Sequence, residues 1–184
     1  MYFFIAGIVI ALAVGLIFNR LIKYRMLMRE AWSGIDVQLK RRHDLIPNIL
    51  ESVKGYMGYE QKLFESVAAI RSKLKSAHEI KDKGLAENEL SGALKSVFAL
   101  AEAYPDLKAN KSFLGLQQSL IEVEDQIQLA RRYYNGTVRN NNILVESFPG
   151  NLVAGMFNFK TAEFFEIEFA TQRNAPEVKF NRTA

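Results

Sequence analysis

The chain contains no cysteine. Disulfides, thiolate metal sites, a cysteine nucleophile and a lipid-modified N-terminal cysteine are therefore excluded. Histidine is almost as scarce: His43 and His78 lie far apart in sequence, so a histidine pair would have to be assembled by folding. There is no glycine-rich phosphate loop, no nucleophile elbow, no zinc-protease motif and no Glu-x-x-His pair of the di-iron bundle kind. Charge is missing altogether from Met1 to Phe18, where Tyr2 is the most polar side chain.

What is present is a globular composition, with 49% hydrophobic and 24% charged residues in a chain of 184. That suits one ordinary domain with an appendage, not a disordered chain. The net charge of +4 is concentrated. Eight basic residues (Arg20, Lys23, Arg25, Arg29, Lys40, Arg41, Arg42, Lys54) face four acidic ones (Glu30, Asp36, Asp44, Glu51) between positions 20 and 54, and the remainder sums to zero. A nucleic-acid binder would spread its basic residues over a face, so no nucleic-acid partner is expected.

The uncharged N-terminal run makes a helix of roughly 27 Å, close to the ~30 Å hydrocarbon core of a bilayer. Residues 1–19 are read as a transmembrane anchor, with residues 2–18 in contact with lipid. Arg20, Lys23, Arg25 and Arg29 flank it on the C-terminal side only, which puts the body in the cytoplasm and the N-terminus outside by the positive-inside rule. Ala11-Leu12-Ala13 resembles a signal-peptide cleavage site. A signal peptide, however, carries its positive charge before the apolar run. Gly7 and Gly15 are either ordinary membrane glycines or a contact between two such helices.

From residue 28 a period of 3.5 dominates. Met28, Trp32, Ile35, Leu39, Ile46, Ile49, Val53 and Tyr56 lie on one stripe, followed by Leu63, Val67, Ile70 and Leu74. Arg42 and Glu60 alone interrupt it. Such a seam predicts long packed helices, and the same pattern would also serve self-association. The register does not shift at Pro47, which predicts a kink rather than a loop, while Gly55 and Gly58 are a candidate hinge. Residues 78–84 are polar and read as a linker or frayed end. Leu90, Ala93, Val97, Leu100 and Tyr104 mark a shorter helix, ended by Pro105. Asn110 is the expected N-cap of the next helix, whose seam runs through Phe113, Leu116, Leu120, Val123, Ile127, Ala130 and Tyr134 and which should reach about Val145. Phe148-Pro149-Gly150 then punctuates the chain. A short helix is expected at 152–156, and a strand-like alternation at Phe165, Ile167 and Phe169.

The expected architecture is all-α: the anchor (1–19), an antiparallel, four-helix-bundle-like body with one shared core (20–148), and a short helix with an aromatic-rich, extended C-terminal tail (149–184). Three stretches carry a resemblance to a known family. Trp32-Ser33 with Asp36-Val37-Gln38-Leu39-Lys40-Arg41-Arg42-His43-Asp44-Leu45-Ile46-Pro47-Asn48 is one. Ala101 to Asn110 is the second, and Ala130-Arg131-Arg132-Tyr133-Tyr134-Asn135 through Phe148-Pro149 the third. In this order they resemble the LemA family and cover most of the chain beyond the anchor. Two details depart from the family pattern: Asn140-Asn141-Asn142 replaces a second Tyr-Asn pair, and Asn158 replaces a glycine between Phe157 and Phe159. The resemblance implies a bacterial membrane protein with a cytoplasmic helical body. It implies no established reaction and no single role, since relatives look connected with membrane-organelle formation or with membrane stress and signalling.

Candidate chemistry is sparse. Lys40, Arg41, Arg42 and His43 form the densest polar cluster: a contact for anionic lipid or an acidic partner, or a solvated face with one buried or paired Arg42. Asp36 and His43 share a helix face, but a metal or acid–base site would need further ligands from Glu102, Asp106, Glu122, Glu124 or Asp125. Tyr104, Pro105 and Asp106 are a recognition loop or a tight turn whose aspartate caps. The aromatic–acidic tail is a contact site or a segment docked on its own bundle. No catalytic, cofactor or metal site is expected, and the chain is not expected to be an enzyme. The favoured expectation is a membrane-anchored scaffold for an unidentified protein partner, and the alternative is an anionic-lipid-binding or membrane-organising protein.

Overall fold

A computed structural model describes residues 1–56, 61–77 and 79–165. Among these residues six helices appear in chain order: α1 (Tyr2–Lys54), α2 (Gln61–Ser76), α3 (Ile80–Ala101), α4 (Pro105–Lys108), α5 (Lys111–Glu146) and α6 (Gly150–Met156). No strand occurs among the described residues. Ile167 and Phe169, two of the three residues of the expected alternation, lie outside them.

The apolar N-terminal segment and the first heptad seam are one uninterrupted helix that continues through Pro47 and ends at Gly55. Gly58 lies outside the described residues, and with it the rest of the expected hinge. Along α1, Ile35, Leu39, Arg42, Ile46, Ile49 and Val53 are all buried, so the seam continues through the position where a charge interrupts it. The polar stretch expected to be a linker is largely helical, because α3 starts at Ile80 and already buries Gly84 and Ala86. Ala86 extends the Leu90–Leu94–Val97 face by one turn, and tertiary burial outweighs the polar surface of that turn.

Tyr104 precedes a one-turn helix that Pro105 opens at its first position, where a missing N–H costs nothing. Asp106 is exposed in that first turn and does not cap it. The cap in this region belongs to Asn110, whose side-chain oxygen accepts from the N–H groups of Ser112 (2.9 Å) and Phe113 (3.2 Å) at the start of α5. A cap of this kind contributes about 1 kcal/mol.

Helices α1 and α5 run antiparallel in a strict register. Trp32 meets Tyr134 and Arg42 meets Glu124, so ten residues up α1 match ten down α5, and Tyr56 just past α1 meets Asn110, the N-cap of α5. Helices α2 and α3 pair beside them, tied at the surface by Lys73–Glu89 at 2.7 Å. Among the described residues three apolar clusters succeed one another along α1, the first two meeting at Leu45. The distal cluster gathers all of the first five helices, including Ile46, Val67, Leu90, Leu107 and Phe113. The middle one joins α1 and α5 through Ile35, Leu39, Ile127 and Val138, with Phe165 of the tail. The third packs Leu21 against Val153, Ala154 and Phe159.

Candidate functional site

The seam position occupied by a charge is the centre of the body. Arg42 is fully buried. Its guanidinium pairs with Glu87 of α3, which is itself buried, and reaches Glu124 of α5 at 2.6 Å from Nη1. The same Nη1 donates to Ser91 Oγ at 2.8 Å. One α1 arginine therefore ties α3 and α5 to the first helix. The planar, multiply donating guanidinium suits such a three-helix junction. His43 sits beside it, with Nε2 3.0 Å from Glu87 Oε1. Burial lowers the His43 pKa below its ordinary 6.5, and the positive charges of Arg42 and Arg71 add to this; Asp44 and Asp36 oppose it. His43 is therefore neutral at neutral pH.

The densest basic cluster of the sequence is thus divided. Arg42 is an internal tie, His43 is half-buried at its edge, and Lys40 and Arg41 are exposed. A mixed-charge cleft of about 330 Å³ opens beside His43, lined by Asp36, Lys40, Arg71 and Lys83 among others. Lys83 pairs with Asp36 at 3.6 Å across it. Because α1 is continuous, Lys40 stands roughly 33 Å along the helix from Phe18, while screened charge decays over about 8 Å. Of the carboxylates considered as additional ligands, only Glu124 comes to this junction, and it is joined by Glu87, which the sequence did not single out. Among the described residues no group of three or more His, Asp or Glu side chains could hold a metal ion.

On the outer face of the junction a groove of about 520 Å³ runs between α3 and α5. Leu94, Phe98, Leu120 and Ile127 supply its apolar lining, and Ser91 and Glu124, both partners of Arg42, also line it. The same face of α5 holds the tail farther along. Asn142 accepts from the Ala162 N–H at 2.8 Å and donates to the Ala162 carbonyl at 2.9 Å. Asn135 does the same for Phe165, at 2.9 and 3.1 Å. Seven helical residues advance about 10.5 Å and three extended residues about 10 Å, so the two clamps match an extended chain running antiparallel to α5. Tyr134 donates to the Glu163 carbonyl at 3.0 Å, and burial, with Glu163 nearby, keeps its hydroxyl protonated by raising its pKa. Phe165 is fully buried with its ring edge-on to Trp32 at 5.3 Å. The first part of the tail is therefore docked on the bundle.

Tyr104 is half-buried against the distal cluster and Pro105 and Asp106 are exposed at the turn. Arg20, Lys23 and Arg29 are exposed just beyond the apolar run, whereas Arg25 lies 4.1 Å over the ring of Phe159. The apolar part of α1 has a mean hydropathy of 2.3 with none of its window buried, long and apolar enough to cross a membrane.

These features define a class: a long-helix bundle built on the continuation of an N-terminal apolar helix that fits a membrane anchor. The sequence profile of the LemA family matches residues 31–180, and the chain belongs to that family. Similar proteins include protein LemA of Metamycoplasma hominis, 28% identical over 155 residues (80% of this chain and 68% of the relative). Magnetosome protein MamQ 2 of Paramagnetospirillum magneticum is 25% identical over 160 residues, 73% of this chain and 59% of the relative. Magnetosome protein MamQ of Magnetospirillum gryphiswaldense is 24% identical over 159 residues, 72% of this chain and 58% of the relative. The match thus spans about three fifths of the length of the magnetosome proteins. The chain is a membrane-associated helical protein.

Proposed function

We propose that the chain is a non-enzymatic scaffold held at the bacterial cell membrane by residues 2–18, with its body in the cytoplasm, and that it binds a partner protein through the groove between α3 and α5. The observation that carries this reading is the alignment of that groove with the asparagine clamps. Asn142, Asn135, Gln128 and Ile121 are spaced by seven residues on α5 and share one face. The first two hold an extended segment by its backbone, and the last two line an open groove with an apolar floor. A surface that binds one stretch of backbone continues into one able to receive another. The positive residues flanking the span on one side support the orientation. The membrane-organising alternative draws support from the magnetosome relatives, but the separation of Lys40 and Arg41 from the span removes its simplest electrostatic basis.

A photo-crosslinking residue placed at Ile121 in the full-length chain, in its native membrane, tests the scaffold reading. A discrete protein adduct at position 121, absent from an equivalent probe at Lys62 on α2 and lost with Lys95→Glu at the exposed edge of the groove, is expected. Equal labelling at both positions would remove the groove from the account.

A further inference from the structure

After the first nineteen residues, the longest stretch without a charged residue is the thirteen-residue run from Ser147 to Phe159, bounded by Glu146 and Lys160. It contains α6, and it sits at one particular height on α1. Val153, Ala154 and Phe159 pack around Leu21, with Val14, Ile17 and Phe18 against the same cluster. The Phe18 ring centre lies 4.7 Å from that of Phe157, tilted against it, and 5.8 Å from that of Phe159, edge-to-face. Val14, Ile17 and Phe18 belong to the membrane span, so a segment packed against them lies at the level where the bilayer gives way to water.

The outward face of that segment is the reverse of what water favours. Leu152 and Met156 lie one turn apart on α6 at 63% and 73% exposed, and Phe148, in the turn just before the helix, is 80% exposed. Burial of Val153 and Ala154 accounts for one side of α6, and solvent has no use for the other. Around it, the charged groups are placed as an interface demands: Arg20 and Lys23 are exposed on α1, and Arg25 lies over the Phe159 ring. A short helix with an apolar outer face beside a span sinks about 5–10 Å into the boundary between headgroups and acyl chains.

We infer that residues 147–159 are a second membrane contact, a foot whose exposed Phe148, Leu152 and Met156 insert among lipid chains at the body-side surface of the bilayer. The continuity of this face with the span identifies its occupant as lipid. The foot makes the body stand on the membrane at two points, which fixes the direction in which the α3–α5 groove faces. This inference rests on the reading of residues 2–18 as a span, but not on the groove or its partner.

The absence of cysteine makes the test direct. Single variants Leu152→Cys and Met156→Cys of the full chain, reconstituted in liposomes and carrying an environment-sensitive fluorophore, are exposed to lipids brominated on their acyl chains. Leu12→Cys reports on the span and Leu114→Cys on an exposed apolar position near the far end of α5. Quenching at 12, 152 and 156 but not at 114, unchanged when protein is diluted into lipid, is the expected result. Quenching at 12 alone would overturn the foot and leave the span intact. Shielding at 152 and 156 that depends on protein density without quenching would also overturn it, in favour of a second copy of the chain. Absence of quenching at 12 would remove the span and the foot together.

Discussion

Arg42 on α1 and Glu124 on α5 meet at 2.6 Å on the same guanidinium that pairs with Glu87 of α3. Arg42 is fully buried and Glu87 nearly so, whereas about a third of the Glu124 side chain is exposed. The pair with Glu87 therefore sits where the cost of an orphaned charge is highest. Truncating one member of a buried pair costs about 3–5 kcal/mol, while replacing both by apolar groups is often neutral. Arg42→Met is expected to destabilise the full chain in detergent by that amount, read from denaturant unfolding followed by circular dichroism. Arg42→Met with Glu87→Met should recover much of the loss, the Glu124 carboxylate turning to solvent. A single Arg42→Met variant within about 0.5 kcal/mol of the parent would show that the junction contributes no more than a surface residue does.

A pH dependence follows from the neighbour of this junction. His43 faces Arg42, Asp36 and Asp44 on its own helix, Arg71 on α2 and Glu87 on α3. Burial and then the two arginines lower its pKa, and Glu87, though 3.0 Å away, is already matched by Arg42. The unfolded chain therefore takes up a proton below the ordinary histidine value of 6.5 while the folded chain resists it. The contribution of His43 to stability is complete above that value and is lost as the pH falls through the lower, folded value. Unfolding midpoints should fall between about pH 7.5 and pH 5.5, and His43→Gln should flatten that part of the profile. A profile that the substitution leaves unchanged would assign the dependence to other groups.

The tail clamps give a local prediction. Asn142 serves both the N–H and the carbonyl of Ala162. Asn142→Leu leaves both backbone groups to find water, a loss of about 1–3 kcal/mol confined to the tail. The amide of Ala162 should lose its protection from hydrogen exchange, while the α1 and α5 core amides keep theirs. Asn142→Asp retains the acceptor, so the Ala162 amide should stay protected in that variant. Identical exchange in parent and Asn142→Leu would mean that the Asn135 clamp, the Tyr134 hydroxyl and the buried Phe165 hold the segment without Asn142.

Much of this fold was legible because helices announce themselves by period. The seam on α1 named Ile35, Leu39, Ile46, Ile49 and Val53, all buried, and the break at Arg42 was itself informative, since a charge inside a seam must be paired. Its partners were not legible. Glu87 and Ser91 lie on α3, whose first turns look polar, and no local pattern distinguishes a buried glutamate from a solvated one. The earlier seam residue Ala86 was the available signal. Asn142 belongs to a triplet that stood out only as a departure from the LemA pattern, because an asparagine that clamps a distant backbone has no local spacing. The uncharged run around α6 was visible as composition, but its meaning depends on the height at which it meets α1, which only the fold supplies.

Gly150 decides whether α6 can reach that height. It is buried, and a Cβ at this position would collide with the backbone carbonyl oxygen of Leu144 at the end of α5. A carbonyl fixed in a helix does not swing aside as a flexible side chain would, so Gly150→Ala must move α6 itself. Overpacking of this kind costs about 1–3 kcal/mol, or roughly thirtyfold in the docked population at the middle of that range. Because the α6 cluster is separate from the distal and middle clusters, the loss should stay local. A cysteine pair replacing Phe18 and Phe157, whose rings lie 4.7 Å apart, should be bridged by a short bis-maleimide more slowly in the Gly150→Ala background. A pair replacing Tyr56 and Asn110, joined at the opposite end of the bundle, should be bridged at the same rate in both. Slowing of both pairs would show that the strain spreads along α5; slowing of neither would show that the turn between α5 and α6 has room that its geometry denies.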